Sequence, residues 1–123
     1  MEDREQSKAE FVEWLKQFTK ELSLRAIKLY QNLPKTEEAR ILGKQFLRSA
    51  TSVGANYRAV CRARSKAEYY AKVSICVEEA DEVLYWLELI SEAKIFPHEK
   101  LQPLHSDFSR VLAILSKSRK STN

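Results

Sequence analysis

The sequence predicts an all-α protein, an antiparallel up-down-up-down four-helix bundle. The 123-residue chain has only two glycines and three prolines, too few for the tight turns of a sandwich or barrel. Apolar residues recur every three or four positions over four long stretches, the period of one helix face, and capping residues or prolines separate these stretches. With 44% hydrophobic residues, a chain of this length builds one core, so we expect a single domain spanning residues 1–123.

The first helix is predicted over residues 8–31. Ser7 and Glu10 have capping-box spacing at its start, and Pro34 disfavours helical geometry at the residue before it. We expect residues 1–6 to be disordered. The apolar face of this helix comprises Phe11, Leu15, Phe18, Leu22, Ala26 and Leu29.

The second helix is predicted over residues 37–62, with Thr36 as its N-cap. Ser49, Ser52 and Asn56 lie at the edge of its core face, where buried polar groups that find partners fix the register of helix packing. Gly54 in mid-helix costs about 1 kcal/mol relative to alanine, so we expect it to permit close approach of a neighbouring helix. The main seam comprises Leu42, Phe46, Ser49, Val53, Tyr57 and Val60.

The third and fourth helices are predicted over residues 66–93 and 98–118. Ser65 and Glu68 form a second capping box, which leaves a link so short that helices two and three must be adjacent and antiparallel. Pro97 suits the first turn of the fourth helix, and Pro103 marks either a kink or the true start. We expect residues 119–123 to be disordered. The third helix carries a core seam of Tyr69, Val73, Cys76, Ala80, Val83, Leu87 and Ile90, and the fourth an apolar face of Leu101, Leu104, Phe108, Val111 and Leu115.

A second stripe on the third helix lies about 100° from its core seam. It faces either another helix of the bundle or another subunit, and we treat it as a hypothetical subunit interface. Glu79 and Glu82 within it are predicted to pair with basic groups on helix two or on another subunit. The stripe comprises Ile75, Glu79, Glu82, Trp86 and Leu89.

Basic residues are concentrated on helix two, almost opposite its main seam. These residues form a basic arc on the helix surface, and three interpretations of it stay open. It is a solvated face, a stripe that binds phosphates, or a set of salt-bridge partners. Binding of nucleic acid by such an arc would be electrostatic and tolerant of sequence. The hypothetical nucleic-acid-binding set comprises Arg40, Lys44, Arg48, Arg58, Arg62, Arg64 and Lys66.

No catalytic or metal-ligating set is apparent in the sequence. Neither His98 nor His105 follows a glutamate by three residues, the spacing that di-metal bundles use. Cys61 and Cys76 lie within apolar helical patterns and are expected to be reduced thiols. The N-terminus is too polar for a signal peptide, and no run reaches the ~18–20 apolar residues of a membrane span. We therefore expect a cytoplasmic protein without membrane contact, metal or cofactor.

Four runs in this sequence resemble one bacterial family. They are Arg48 to Arg58 (RSATSVGANYR), Ala63 to Glu68 (ARSKAE), Glu79 to Glu82 (EADE) and Tyr85 to Leu89 (YWLEL). Their order and spacing are similar to those of the four helix bundle proteins, which are also called the 23S rRNA-intervening-sequence protein family and were historically labelled as ribosomal proteins. Helices one and four match by pattern only.

The resemblance implies a small cytoplasmic bundle that assembles as a ring, typically a homopentamer, and it carries over no catalytic residues. A relative, the accessory protein of diversity-generating retroelements, is a basic pentamer that binds a reverse transcriptase and nucleic acid. This sequence resembles the intervening-sequence branch more than the accessory branch. It departs from the family at Ala59, where a glutamate is common, so Arg58 and Arg62 are less neutralised here.

We therefore predict a non-enzymatic oligomeric module that binds RNA, another nucleic acid or an RNA-handling protein through the basic arc. Two alternatives stay open. One is a purely structural assembly protein whose arginines only keep it soluble. The other is an enzyme of unknown type that uses Glu79 and Glu82, two carboxylates one turn apart on a partly apolar stripe.

Overall fold

Four helices joined by short links make up the chain in a computed structural model, which describes residues 2–121. The helices are α1 (Glu2–Asn32), α2 (Glu37–Cys61), α3 (Lys66–Glu92) and α4 (His98–Lys120). Consecutive helices pack side by side, and α4 also contacts α1. The α2–α3 contact is the most extensive and the α1–α4 contact the least. The predicted fold class, an all-α four-helix bundle, is confirmed, and the short links give the antiparallel order.

The predicted caps of α2 and α3 are present. The Thr36 hydroxyl accepts a hydrogen bond from the Ala39 amide at 3.4 Å, and the Ser65 hydroxyl accepts one from Glu68 at 3.0 Å. The Glu68 carboxylate reaches back to the amide of Arg64 at 3.4 Å. These bonds satisfy amide groups that have no partner inside a helix, so they hold the turns at both ends of α2.

Two terminal predictions were wrong. Helix α1 begins at Glu2, so Ser7 lies inside the helix and residues 2–6 are helical. Glu2, Asp3 and Glu5 lie in its first turn, where acidic side chains interact favourably with the helix dipole. Helix α4 runs on to Lys120, because basic side chains in its last turn have the same favourable effect at the C-terminus. Met1, Thr122 and Asn123 lie outside the described residues.

The start of α4 agrees with the predicted range of 98–118, but the role of Pro97 differs. Pro97 has extended backbone angles and occupies the N-cap position rather than the first turn, and the helix begins at His98. Pro103 therefore lies inside the helix and is not its start. At the end of α3, Lys94 has a φ of 58°, and the Ile95 amide donates to the Ile90 carbonyl at 3.0 Å. That pairing is the Schellman pattern, which turns the chain sharply into α4.

The core combines large apolar side chains with small residues where helices approach closely. Phe46 of α2 and Phe108 of α4 are fully buried. Ala50 of α2 and Ala80 of α3 are also fully buried, and these short side chains let the helix backbones come together. The Cys76 thiol lies 3.8 Å from the Val53 carbonyl of α2. The middle of α2 therefore packs closely against α3.

The chain's two glycines differ in what a side chain would meet. A Cβ at Gly54 would lie 3.4 Å from Thr19 Oγ1, an ordinary contact, whereas a Cβ at Gly43 would lie 2.9 Å from Leu33 Cδ1 and 3.0 Å from the Tyr30 ring. The close approach predicted at Gly54 does bring α1 against it, but Gly43 is the tighter position.

We expect Gly54→Ala to stabilise the fold and Gly43→Ala to bring no comparable gain. Both changes gain about 1 kcal/mol of helix propensity, but only the alanine at Gly43 forces Leu33 and Tyr30 to move. Urea unfolding of the two variants should place Gly54→Ala above the wild type by up to about 1 kcal/mol. A lower stability for Gly54→Ala than for Gly43→Ala would contradict this account of the packing.

Stability should fall at alkaline pH because two acidic groups are buried in their neutral forms. Burial, with smaller effects of Cys61 and Glu79, raises the pKa of Cys76 from 9.0 to about 12. Burial also raises the pKa of Tyr57 above its usual range. A raised folded-state pKa contributes stability that is complete below the unfolded value and is lost as pH rises through the folded one. Between pH 9 and pH 12, Cys76 should lower the free energy of unfolding by at most about 1.4 kcal/mol per pH unit. Tyr57, whose ordinary pKa is 10.0, should add a similar loss only above pH 10.

Chemical denaturation at a series of alkaline pH values would measure this loss. The free energy of unfolding should fall less steeply with pH in Cys76→Ala than in the wild type, since that variant lacks the buried thiol and keeps only Tyr57. An unfolding free energy that is constant from neutral pH to pH 11 would contradict the prediction.

Candidate nucleic-acid interface

A basic groove runs between α1 and α2 on the outer surface of the bundle. Its volume is about 340 Å³, and its residues are Lys16, Lys20, Ser23, Gly54, Ala55, Arg58 and Arg62. Among the residues that line it, four are cationic and none is acidic. The small residues Gly54 and Ala55 leave its floor open. Within residues 2–121, none of these four cations forms an ion pair, so the groove presents uncompensated positive charge.

The sequence singled out Arg58 and Arg62 for this surface but missed Lys16 and Lys20. These two lysines lie one turn apart on α1, outside the run of basic residues on α2 that the sequence makes conspicuous. The close approach of a helix predicted at Gly54 could have identified them. Helix α1 packs at that position, and its packing sets Lys16 and Lys20 beside Arg58. Two helices, rather than one arc, form the positive surface.

The other predicted basic residues lie in three different places. The guanidinium of Arg40 donates to the backbone carbonyl of Lys35 at 3.0 Å, near the opposite end of α2 from the groove. Lys44 is exposed on the same side of α2. Arg64 and Lys66 lie in the link to α3 and its first turn, next to a cavity at the end of the bundle.

Arg48 is engaged within the chain. Its guanidinium donates to Glu79 at 3.1 Å and to Glu82 at 2.6 Å, both on α3. The same Glu82 oxygen accepts from the Ser49 hydroxyl and from the Trp86 indole, each at 3.3 Å. Of the two pairings open for these glutamates, the structure shows the one with helix two. Arg48, Ser49, Glu79, Glu82 and Trp86 therefore form a polar cluster, which we call the Arg48 cluster, that joins α2 to α3.

The polar residues expected to fix register act differently from one another. Ser49 is fully buried and bonds across to α3 through Glu82. Ser52 donates to the Arg48 carbonyl at 2.7 Å, and Asn56 donates to the Ser52 carbonyl at 2.8 Å. Both of these bonds lie within α2, whereas the Ser49 hydroxyl bonds to a residue of the neighbouring helix α3.

A larger cavity, the end cavity, lies at the end of the bundle where α2 turns into α3. It has a volume of about 750 Å³, within the range of about 300–1,000 Å³ typical of small-ligand sites. The cationic side chains on it are Lys8, Arg64 and Lys66. Aromatic side chains come from Phe11 of α1, Tyr57 of α2 and Tyr69 of α3. The combination of aromatic surface with cations and no acidic lining residue suits an anion that carries a flat ring.

The second stripe of α3 divides into two parts. Glu79, Glu82 and Trp86 belong to the Arg48 cluster, and Leu89 is half-buried. Ile75 is 44% exposed, and Tyr85 beside the stripe is 54% exposed. Of the apolar residues in the stripe, Ile75 is thus the one left open to solvent in a single chain, with Tyr85 exposed beside it.

Two further features are absent from the described part of the chain. No group of three or more histidine, cysteine or acidic residues in it could hold a metal ion. No helix there has the length and apolar character to cross a membrane. His105 contacts Glu88 at 3.1 Å and His98 contacts Ser91 at 3.0 Å, and both contacts join α4 to α3.

The fold and its surface define a small four-helix bundle with a basic groove between its first two helices. The chain belongs to the 23S rRNA-intervening sequence protein family, whose model matches residues 5–117. It is similar to the crystal structure of a protein with unknown function from the S23 ribosomal protein family of Bacteroides thetaiotaomicron VPI-5482. The two are 31% identical with a TM-score of 0.82, over 89% of this chain and 97% of the other. No curated protein matches the chain.

Proposed function

We propose that this protein is a non-enzymatic, oligomeric, cytoplasmic module that binds RNA through the basic groove. The single observation that supports this function is the convergence of Lys16, Lys20, Arg58 and Arg62 on one groove without an acidic residue on its lining. Phosphate groups supply most of the affinity of sequence-tolerant binding, and four unpaired cations provide for several such contacts. Membership of a family described by an rRNA intervening sequence favours RNA as the polyanion.

The groove favours direct binding over a purely solubilising role for the arginines. Cations that only keep a protein soluble need no common position, whereas here two helices place them on the same groove. Lys44 and Arg40 continue the positive face of α2 beyond it. Along an α-helix the distance from Arg40 to Arg62 is about 33 Å, long enough for several nucleotides of backbone.

Assembly is part of the proposal, and its support is the open apolar part of α3. Ile75 and Tyr85 are large apolar side chains left about half exposed, and we propose that a second copy of the chain covers them in a ring such as the pentamer that the resemblance implies. Light scattering should give a mass above that of the monomer, and Ile75→Lys should lower it. A monomeric wild type at micromolar concentration would refute the assembly.

The RNA proposal is tested by titration with a fluorescent single-stranded RNA over a range of salt concentrations. Four phosphate contacts predict that the logarithm of the affinity falls with the logarithm of salt with a slope of about −3. Absence of binding at low salt, or an affinity that does not respond to salt, would overturn the proposal. Binding of an RNA-handling protein instead would leave the affinity for naked RNA undetectable under the same conditions.

A further inference from the structure

The basic groove and the end cavity follow one another along the same two helices, although they share no lining residue. On α1, Lys8 and Val12 line the cavity and Lys16 and Lys20 line the groove, at successive spacings of four residues. On α2, Arg58 and Arg62 line the groove while Cys61, between them, lines the cavity. A strand that extends from the groove toward the end of the bundle therefore comes within one helical turn of residues that line the cavity.

The character of the lining changes along this path. The groove has cations and small residues, which suit a sugar-phosphate backbone but offer no surface for a base. The cavity has the flat side chains of Phe11 and Tyr69 with Lys8, Arg64 and Lys66 nearby. Aromatic side chains beside a positive groove are how proteins hold unpaired nucleotides, since every base has a face that can stack. A paired base within a duplex has no free face to offer.

The geometry points to a specific substrate class: we propose that the end cavity receives an unstacked nucleotide of a single-stranded RNA whose backbone lies in the basic groove. This inference rests on the proposed function and adds a preference for single strands over duplexes. Phe11 contacts the Trp14 ring at 5.7 Å between centroids and is still 44% exposed, so part of its ring surface is open to a base. The acidic residue next to the cavity, Glu68, is already occupied by its bond to the Arg64 amide at 3.4 Å.

The thiol of Cys61 can report whether the end cavity is occupied. Cys61 lines it and is half-buried, whereas Cys76 is fully buried and its pKa is raised to about 12. The thiolate is the reactive form of cysteine, so a maleimide should modify Cys61 and spare Cys76 in the folded protein. The rate of modification at Cys61 then measures whether the cavity is occupied.

The experiment compares oligouridine RNA with the same strand annealed to oligoadenine, matched in length. At about ten times its Kd, oligouridine should slow modification of Cys61 by about tenfold, as mass action requires of an occupied site. The duplex should bind the groove and leave the rate at Cys61 nearly unchanged. Full reactivity of Cys61 with oligouridine bound, or equal protection by the duplex, would overturn the inference and leave the proposed function standing.

A variant at Phe11 separates the contribution of base stacking to RNA affinity from the contribution of charge. Phe11→Ala should weaken oligouridine binding by roughly 5-fold or more without changing the salt slope, because a stacking contact is lost and no cation is. Tyr70→Ala removes a similarly exposed ring on α3, 41% exposed and outside the lining of both the groove and the cavity, and should leave the affinity unchanged. Equal affinities for the wild type and Phe11→Ala would also overturn the inference. If neither the single-stranded RNA nor the duplex binds at low salt, the proposed function fails together with this inference.

Discussion

Reversing the charge of Arg58 and Arg62 together should lower the affinity for RNA at least about a hundredfold at low salt. Each cation that contacts a phosphate contributes about 1 kcal/mol at 4 Å in bulk water, and a glutamate replaces that attraction with a similar repulsion. The salt slope should fall toward half its wild-type value, since only Lys16 and Lys20 would remain in the groove. Fluorescence anisotropy with a labelled single-stranded RNA measures both quantities.

The matched control reverses two cations elsewhere on the molecule. Lys94→Glu with Lys100→Glu changes the net charge by the same amount, but both residues lie at the α3–α4 end of the bundle, outside the lining of the groove. It should weaken RNA binding only slightly, through the change in overall charge. Equal losses in the two double variants would show that RNA responds to net charge and not to the groove. Circular dichroism should confirm that both variants remain folded.

The sequence could predict the helices because each one is specified locally. Thr36 and Ser65 cap their helices with their own hydroxyl groups, and a seam such as that from Phe46 to Val60 has the period of one helix face. The start of α1 could not be predicted from Ser7, because residues 2–6 carry no breaker and their acids favour the helix. Local sequence patterns therefore predict the positions of the helices better than the residues at which they end.

The positive surface was harder to predict because charge in a sequence carries no information about its neighbours. Arg48 and Arg58 lie on the same side of α2 and looked equivalent. In the structure Arg48 binds Glu79 and Glu82, while Arg58 faces Lys16 and Lys20 across the groove. The partners come from different helices, so only the packing of α1 and α3 against α2 separates a structural arginine from one available to a ligand.

Arg48→Ala should therefore destabilise the fold by about 2 kcal/mol. This value lies between that of an exposed ion pair, about 0.2–1 kcal/mol, and the loss of one partner from a buried pair, about 3–5 kcal/mol. The intermediate value follows from the burial of the cluster, because the Arg48 side chain is 52% exposed and that of Glu79 is 14% exposed. Without the guanidinium, the Glu79 carboxylate keeps its burial and loses its cation. Urea unfolding of the variant measures the change.

The comparison with Arg58→Ala makes the prediction specific, because Arg58 lies on the same helix and pairs with no acidic residue in the described part of the chain. That variant should change stability by no more than about 0.5 kcal/mol. A double-mutant cycle of Arg48→Ala with Glu82→Ala should give a coupling of about 1 kcal/mol or more, as residues in one polar network do. Equal stabilities for the two arginine variants, or a coupling near zero, would show that the Arg48 cluster does not hold α2 to α3. In that case Arg48 would return to the set of cations available to RNA, and its loss would lower RNA affinity instead of stability.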